Sequence, residues 1–134
     1  METQREILIG LAGSDHVAIV CGSRFDREGW KRAEVRVACD VWQGGFKTSF
    51  HRGELNRLAA ELSELERALR GEVWFRPMES RIELRFSGDG KGHVSVQGRA
   101  ASEPDVSLTI KFDMDQTFLK QIAADLLAAD PGEP

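Results

Sequence analysis

The amino-acid sequence predicts an α+β fold: an antiparallel sheet of about eight strands, meander- or sandwich-like, covered by two amphipathic helices. Three observations predict it. Apolar and polar residues alternate at period two through most of the chain, as in strands buried on one face only. Two segments instead space their apolar residues by three and four. Strands never alternate regularly with helices, so a parallel doubly wound sheet does not fit.

Taken in order, Ile7, Ile9 and Leu11 share one parity, as do Val17, Ile19 and Cys21. AEVRVACDVW places Val35, Val37, Cys39 and Val41 on one face and Glu34, Arg36 and Asp40 on the other, which puts Trp42 on the outward parity. GFKTSF contributes Phe46, Thr48 and Phe50. The spacing of Leu55, Leu58, Leu62, Leu65 and Leu69 predicts a helix over about residues 53–70, with Gly71 as its C-terminal stop. Two heptads are too few for a coiled coil, so this helix is expected to cover the sheet. EVWFR reads as a further strand with Val73 and Phe75 on one side and Trp74 on the other. The alternation resumes in Ile82, Leu84 and Phe86, in Val94 and Val96, and in Val106, Leu108, Ile110 and Phe112. A second helix is expected over about 115–128, with Asp115 as N-cap and Phe118, Leu119, Ile122, Ala123 and Leu126 buried. The expected core includes Val37, Leu58, Leu62, Leu65, Leu84, Val96, Ile110 and Ile122.

A length of 134 residues suits one domain spanning 1–134, with 130–134 expected as a mobile tail. The net charge of −4 argues against a nucleic-acid partner, whose binding face normally needs a basic excess. The N-terminal apolar run is too short for a secretory signal, and no stretch approaches membrane-spanning length. Cys21 and Cys39 are too few for a disulfide scaffold and read as buried free thiols, consistent with a reducing cytoplasm.

The stretch GDGKGHVSVQG, residues 88–98, concentrates glycines around Asp89, Lys91 and His93. A phosphate loop needs its glycines between a strand and a helix N-terminus, and here both flanks are strands. A calcium loop needs several alternating oxygen donors, and Asp89 alone does not supply them. The stretch therefore predicts a hairpin. Because the inward residues are even-numbered on both strands, paired numbers must sum to an even value. That excludes a two-residue loop. Pairing Phe86 with Val94 and Ser87 with His93 satisfies the parity, with a loop of three or five residues.

His16, His51 and His93 stand in no metal-ligand spacing, and no serine or cysteine is visibly placed beside a base. No cofactor, metal or catalytic set is expected. Parity gathers Arg85, His93, Ser95, Gln97, Arg99, Lys111 and Asp113 on the outward face, with a His93–Asp113 contact if the next hairpin pairs Val94 with Phe112.

Several short motifs in order carry a resemblance: Trp30, Gly44-Gly45-Phe46, Gly71, Pro77-Met78-Glu79, the 88–98 stretch and Asp115-Gln116-Thr117-Phe118-Leu119. Over roughly residues 30 to 127 the chain resembles the WapI-type immunity proteins of bacterial polymorphic-toxin systems, whereas the first thirty residues match poorly. The resemblance implies a non-catalytic cytoplasmic protein that binds and neutralises a cognate toxin C-terminal domain, with no nucleic-acid or membrane partner. The surface expected to meet the toxin is the outward sheet face, with Arg85, His93, Gln97, Arg99, Lys111 and Asp113, and Trp42 as an anchor. Parity also assigns Arg36 and Asp40 to this face, giving it mixed charge. The alternative is a small ligand-binding or enzymatic domain using the same face around His93.

Overall fold

The computed structural model describes residues 4–132. Eight strands and two helices follow in the order β1 (Arg5–Gly10), β2 (His16–Cys21), β3 (Trp30–Cys39), β4 (Trp42–His51), α1 (Glu54–Ala68), β5 (Arg70–Phe75), β6 (Ile82–Asp89), β7 (His93–Glu103), β8 (Val106–Asp115) and α2 (Phe118–Ala129). The strands divide into two four-stranded sheets rather than one, ordered β1-β2-β3-β4 and β5-β6-β7-β8. Every neighbouring pair is antiparallel, so each sheet is a meander.

One hydrophobic cluster joins both sheets and both helices. The sheets meet directly where β3 touches β8 and β4 touches β7. At their other ends they are held by the helices, which pack on each other. The helices are exchanged: α1 follows the first sheet but lies mainly on β5, the edge strand of the second, while α2 lies on β1. All eight expected core residues are buried, and Leu62, Val96 and Ile110 are completely enclosed.

The junction of the helices rests on two buried charged residues. Gly53 occupies the N-cap of α1 and offers no side chain to the first turn. Asp130 replaces it from across the fold: its Oδ2 accepts the amides of Gly53 (2.7 Å), Leu55 (3.1 Å) and Asn56 (3.2 Å). Its backbone carbonyl accepts the Asn56 side-chain amide at 3.1 Å. The tail expected to be mobile from residue 130 is therefore tied down at Asp130, which is fully buried; residues 133–134 lie outside the described residues. The last turn of α2 holds no basic residue of its own. Buried Lys31 supplies the cation, donating from Nζ to the Ala129 carbonyl while lying 4.2 Å from the centre of the Phe25 ring. A carboxylate thus sits at the positive end of one helix and an ammonium at the negative end of the other.

Local expectations fail where chain geometry outweighs alternation. Helix α1 ends at Ala68, three residues before Gly71, because Leu69 itself turns into the left-handed region at φ 65°; Gly71 lies within β5. The N-cap of α2 is Thr117, not Asp115, which ends β8. Phe118 is half-buried. Leu11 and Val41 are exposed because their strands stop one or two residues earlier and both fall in turns. Cys39, at the end of β3, is half-buried rather than buried, and the two cysteines form no disulfide among the described residues. Trp42 starts its own strand, where it shares the inward parity of Phe46, Thr48 and Phe50, so its outward assignment is corrected.

Candidate functional site

The outer face of the second sheet carries most of the residues expected to form a site. Its register aligns one residue from each strand in a row: Trp74 on β5, Arg85 on β6, Gln97 on β7 and Lys111 on β8. A second row runs Glu83, Arg99, Thr109, and a third runs Glu72, Ser87, Ser95, Asp113. Arg85, Gln97, Arg99, Lys111 and Asp113 are thereby brought onto one face, as parity anticipated.

Within the first row the side chains brace one another. Arg85 donates from Nη2 to Gln97 Oε1 at 2.6 Å, and its guanidinium lies 5.4 Å from the centre of the Trp74 ring. Arg76, just beyond β5, lies 4.1 Å from the same ring. Trp74 is therefore flanked by two guanidinium groups, each drawn to the electron-rich ring, and still leaves 46% of its surface exposed. Arg99 meets Glu83 at 3.6 Å, and Ser95 donates to Asp113 Oδ1 at 3.0 Å. Trp74 and Arg76 were not among the expected site residues. Alternation in EVWFR turned Trp74 outward, but the strand pairing that sets it beside Arg85 is not visible in one strand's pattern.

His93 stands at the margin of this face. The hairpin register differs from the expected pairing by two residues: Gly88 pairs with Val94, Phe86 with Val96 and Ser87 with Ser95. The even sum holds, and the loop is the three residues 90–92. The next register places His93 opposite Asp115 and Asp113 opposite Ser95, so the anticipated His93–Asp113 contact does not form. Instead His93 Nδ1 lies 3.5 Å from Asp89 Oδ2. Trp42 is elsewhere. It borders an apolar groove between the sheets with Phe46, Val106 and Leu108, on the opposite side of the second sheet from the row. Arg36 and Asp40 belong to the first sheet and its β3–β4 turn. Their opposite charges cancel, so removing them leaves the net charge of the face unchanged, and its rows still mix Arg85, Arg99 and Lys111 with Glu72, Glu83 and Asp113.

The glycine-rich hairpin is occupied with internal work. Asp89 Oδ1 accepts the amides of Lys91 (2.6 Å) and His93 (3.1 Å), which hold its carboxyl below the usual aspartate range. Gly90 and Gly92 take φ of 80° and 100°, which an L side chain would resist. The Gly90 amide donates to the Leu69 carbonyl at the end of α1 (2.9 Å), and the Gln116 amide before α2 donates to the Gly92 carbonyl (2.8 Å). A Cβ on Gly88 would come within 2.5 Å of the same Leu69 oxygen. Asp115 Oδ1 accepts the amide (2.9 Å) and hydroxyl (2.8 Å) of Thr117, which lowers its pKa in the same way. Further back, Glu54 of α1 accepts the amides of His51 (2.6 Å) and Met78 (2.7 Å), and Thr48 donates to Glu79 (3.2 Å). The motifs PME, GDGKGH and DQT are thus joints that fasten the helices to the sheets.

Fold and face together define an α+β protein of two antiparallel meanders, with exchanged helices and a sheet surface of mixed charge that sets two arginines against an exposed tryptophan. The chain belongs to the WapI-like immunity protein family, whose sequence model matches residues 17–129. The match begins well before Trp30 and takes in nearly all of β2, contrary to the poor agreement expected over the first thirty residues. No curated protein and no solved structure matches the chain. Among the described residues no three or more histidine, cysteine, aspartate or glutamate side chains gather as a metal site, and no helix is long and apolar enough to cross a membrane.

Proposed function

We propose that the protein acts without turnover, binding the C-terminal domain of a cognate toxin in the cytoplasm and neutralising it by occlusion, through the outer face of the second sheet. Family membership supports the immunity role. The observation that carries the choice of surface is Trp74, held between Arg76 and Arg85 in the open. Exposed tryptophan and arginine on a regular sheet resemble the anchors on which protein interfaces concentrate their binding energy. Trp42 belongs to a different surface and is left out of this one. His93 and Asp113 fall at its rim.

The alternative, a ligand site around His93, finds less support: the ring is turned toward the hairpin's own Asp89, which is itself engaged by backbone amides. The test is a pull-down with the neighbouring toxin's C-terminal domain, comparing wild type with Arg85→Glu combined with Arg99→Glu. Binding should fall at least about tenfold, the scale of an interface contact worth more than 1 kcal/mol, with the melting temperature nearly unchanged. Undiminished binding would move the interface elsewhere, beginning with the exposed side of α1 around Glu61, Glu64 and Arg67.

A further inference from the structure

The notch beside Trp74 has a cavity of about 310 Å³ and is lined by Trp74, Arg76, Glu83, Arg85, Gln97 and Arg99. We infer that it receives side-chain carboxylates from an acidic patch on the protein partner; this rests on the proposed toxin-binding role of the same face.

Three features converge on that ligand chemistry. The first is the local charge. The notch and its row carry Arg76, Arg85, Arg99 and Lys111 against Glu83, four cations to one anion, on a chain whose net charge is −4. Among the described residues, Arg76, Arg85 and Lys111 have no carboxylate within ion-pair distance; the only carboxylate in the notch, Glu83, stands 3.6 Å from Arg99. The second is order. Arg85 is fixed by Gln97 and by the Trp74 ring, and Arg76 by the other contact with that ring. A guanidinium held in place loses less freedom when a carboxylate arrives, and its planar fork suits bidentate pairing. The third is size and surround. The row crosses four strands, about 15 Å at the usual interstrand spacing, and is bordered by Glu72 and Asp113 in the adjacent row. A polyanionic nucleic-acid backbone would have to lie along these acids. A compact group of aspartate or glutamate side chains can enter the notch without meeting them.

The experiment titrates nitrogen-15-labelled protein with hexaglutamate, with hexalysine and with a short single-stranded oligonucleotide, following the three tryptophan indole and the arginine Nε signals. Hexaglutamate should shift the Trp74 indole and leave those of Trp30 and Trp42 in place. The shift should weaken by about tenfold or more between about 0.1 M and about 1 M salt, as the screening length shortens from about 10 to about 3 Å. It should disappear in the double variant Arg76→Gln, Arg85→Gln, whose unchanged Trp30 and Trp42 signals report an intact fold. No shift with hexaglutamate, an equal shift with hexalysine, or tighter binding of the oligonucleotide would each overturn the inference. The toxin domain is carried through the same titration. Tight toxin binding that the double variant leaves intact overturns the notch and spares the immunity reading. Hexaglutamate binding at Trp74 without any toxin binding upholds the notch and sinks that reading.

Discussion

Replacing Asp130 by alanine removes the side chain that caps α1 from 74 to 77 residues away in sequence. Three amides lose their acceptor. Those of Gly53 and Asn56 are in part-buried bonds, where water can substitute, whereas the Leu55 amide belongs to a fully buried residue. An N-cap removed in favour of alanine costs about 0.5–2 kcal/mol. A buried donor left without a partner adds about 1–3 kcal/mol. Asp130→Ala should therefore cost about 1.5–5 kcal/mol, summing the two effects. Asp130→Asn keeps an acceptor oxygen and loses mainly the attraction between a negative charge and the helix N-terminus, about 0.3–2 kcal/mol. Urea unfolding followed by circular dichroism measures both, with the slope checked for constancy. The ordering is the sharper test. If alanine and asparagine destabilise equally, or if alanine costs less than about 0.5 kcal/mol, well short of the cap's usual contribution, the cross-fold cap is not what holds α1.

Leu62 is completely enclosed in the core, so Leu62→Ala should cost about 2–5 kcal/mol in the same assay; a loss within error would mean that its cavity collapses freely. Gly88→Ala should cost about 1–3 kcal/mol by overpacking, because the added methyl meets the Leu69 carbonyl and Leu65 Cδ1, 3.1 Å away, and should speed amide exchange at Gly90. Asp89 and Asp115 are both held below the usual aspartate range by the groups bonded to them. Their contribution to stability is present above the unfolded value, about pH 3.9, and is lost as pH falls through the lower folded values. Amide exchange at Lys91, His93 and Thr117 should accordingly quicken on acidification below about pH 4, after allowance for intrinsic rates. In Asp89→Asn that added response should vanish at Lys91 and His93 and persist at Thr117; its persistence at all three would refute the assignment.

Alternation made the strands, the two helices and the buried set legible, because a side chain's face depends only on local periodicity. The even sum across the 88–98 hairpin was legible for the same reason. Register was not: sliding Phe86 from Val94 to Val96 preserves parity, and the choice depends on how the loop docks against Leu69 and Gln116. The division into two sheets was equally hidden, and with it the separation of Trp42, Arg36 and Asp40 from the Arg85 row. Asp130 looked like the start of a polar tail, since nothing near it in sequence needs a carboxylate. Its partner is a helix whose own N-cap is glycine, and that absence at Gly53 is the one clue the sequence offered.

The exchange of helices ties the fate of the proposed docking face to distant parts of the chain. Trp74 rides on the edge strand β5, which is braced by α1; α1 is pinned by Asp130 at the end of α2; and α2 leans on β1 and Lys31. Loosening the first sheet thus releases the strand that presents the tryptophan on the second. Such wiring favours a single cooperative transition over piecemeal melting. A half-unfolded molecule that still displays the face to a toxin is then not a populated species. The amount of neutralising protein in a cell would follow the fully folded fraction alone, and a mutation far from the interface would lower protection by shortening the protein's lifetime rather than by weakening its grip.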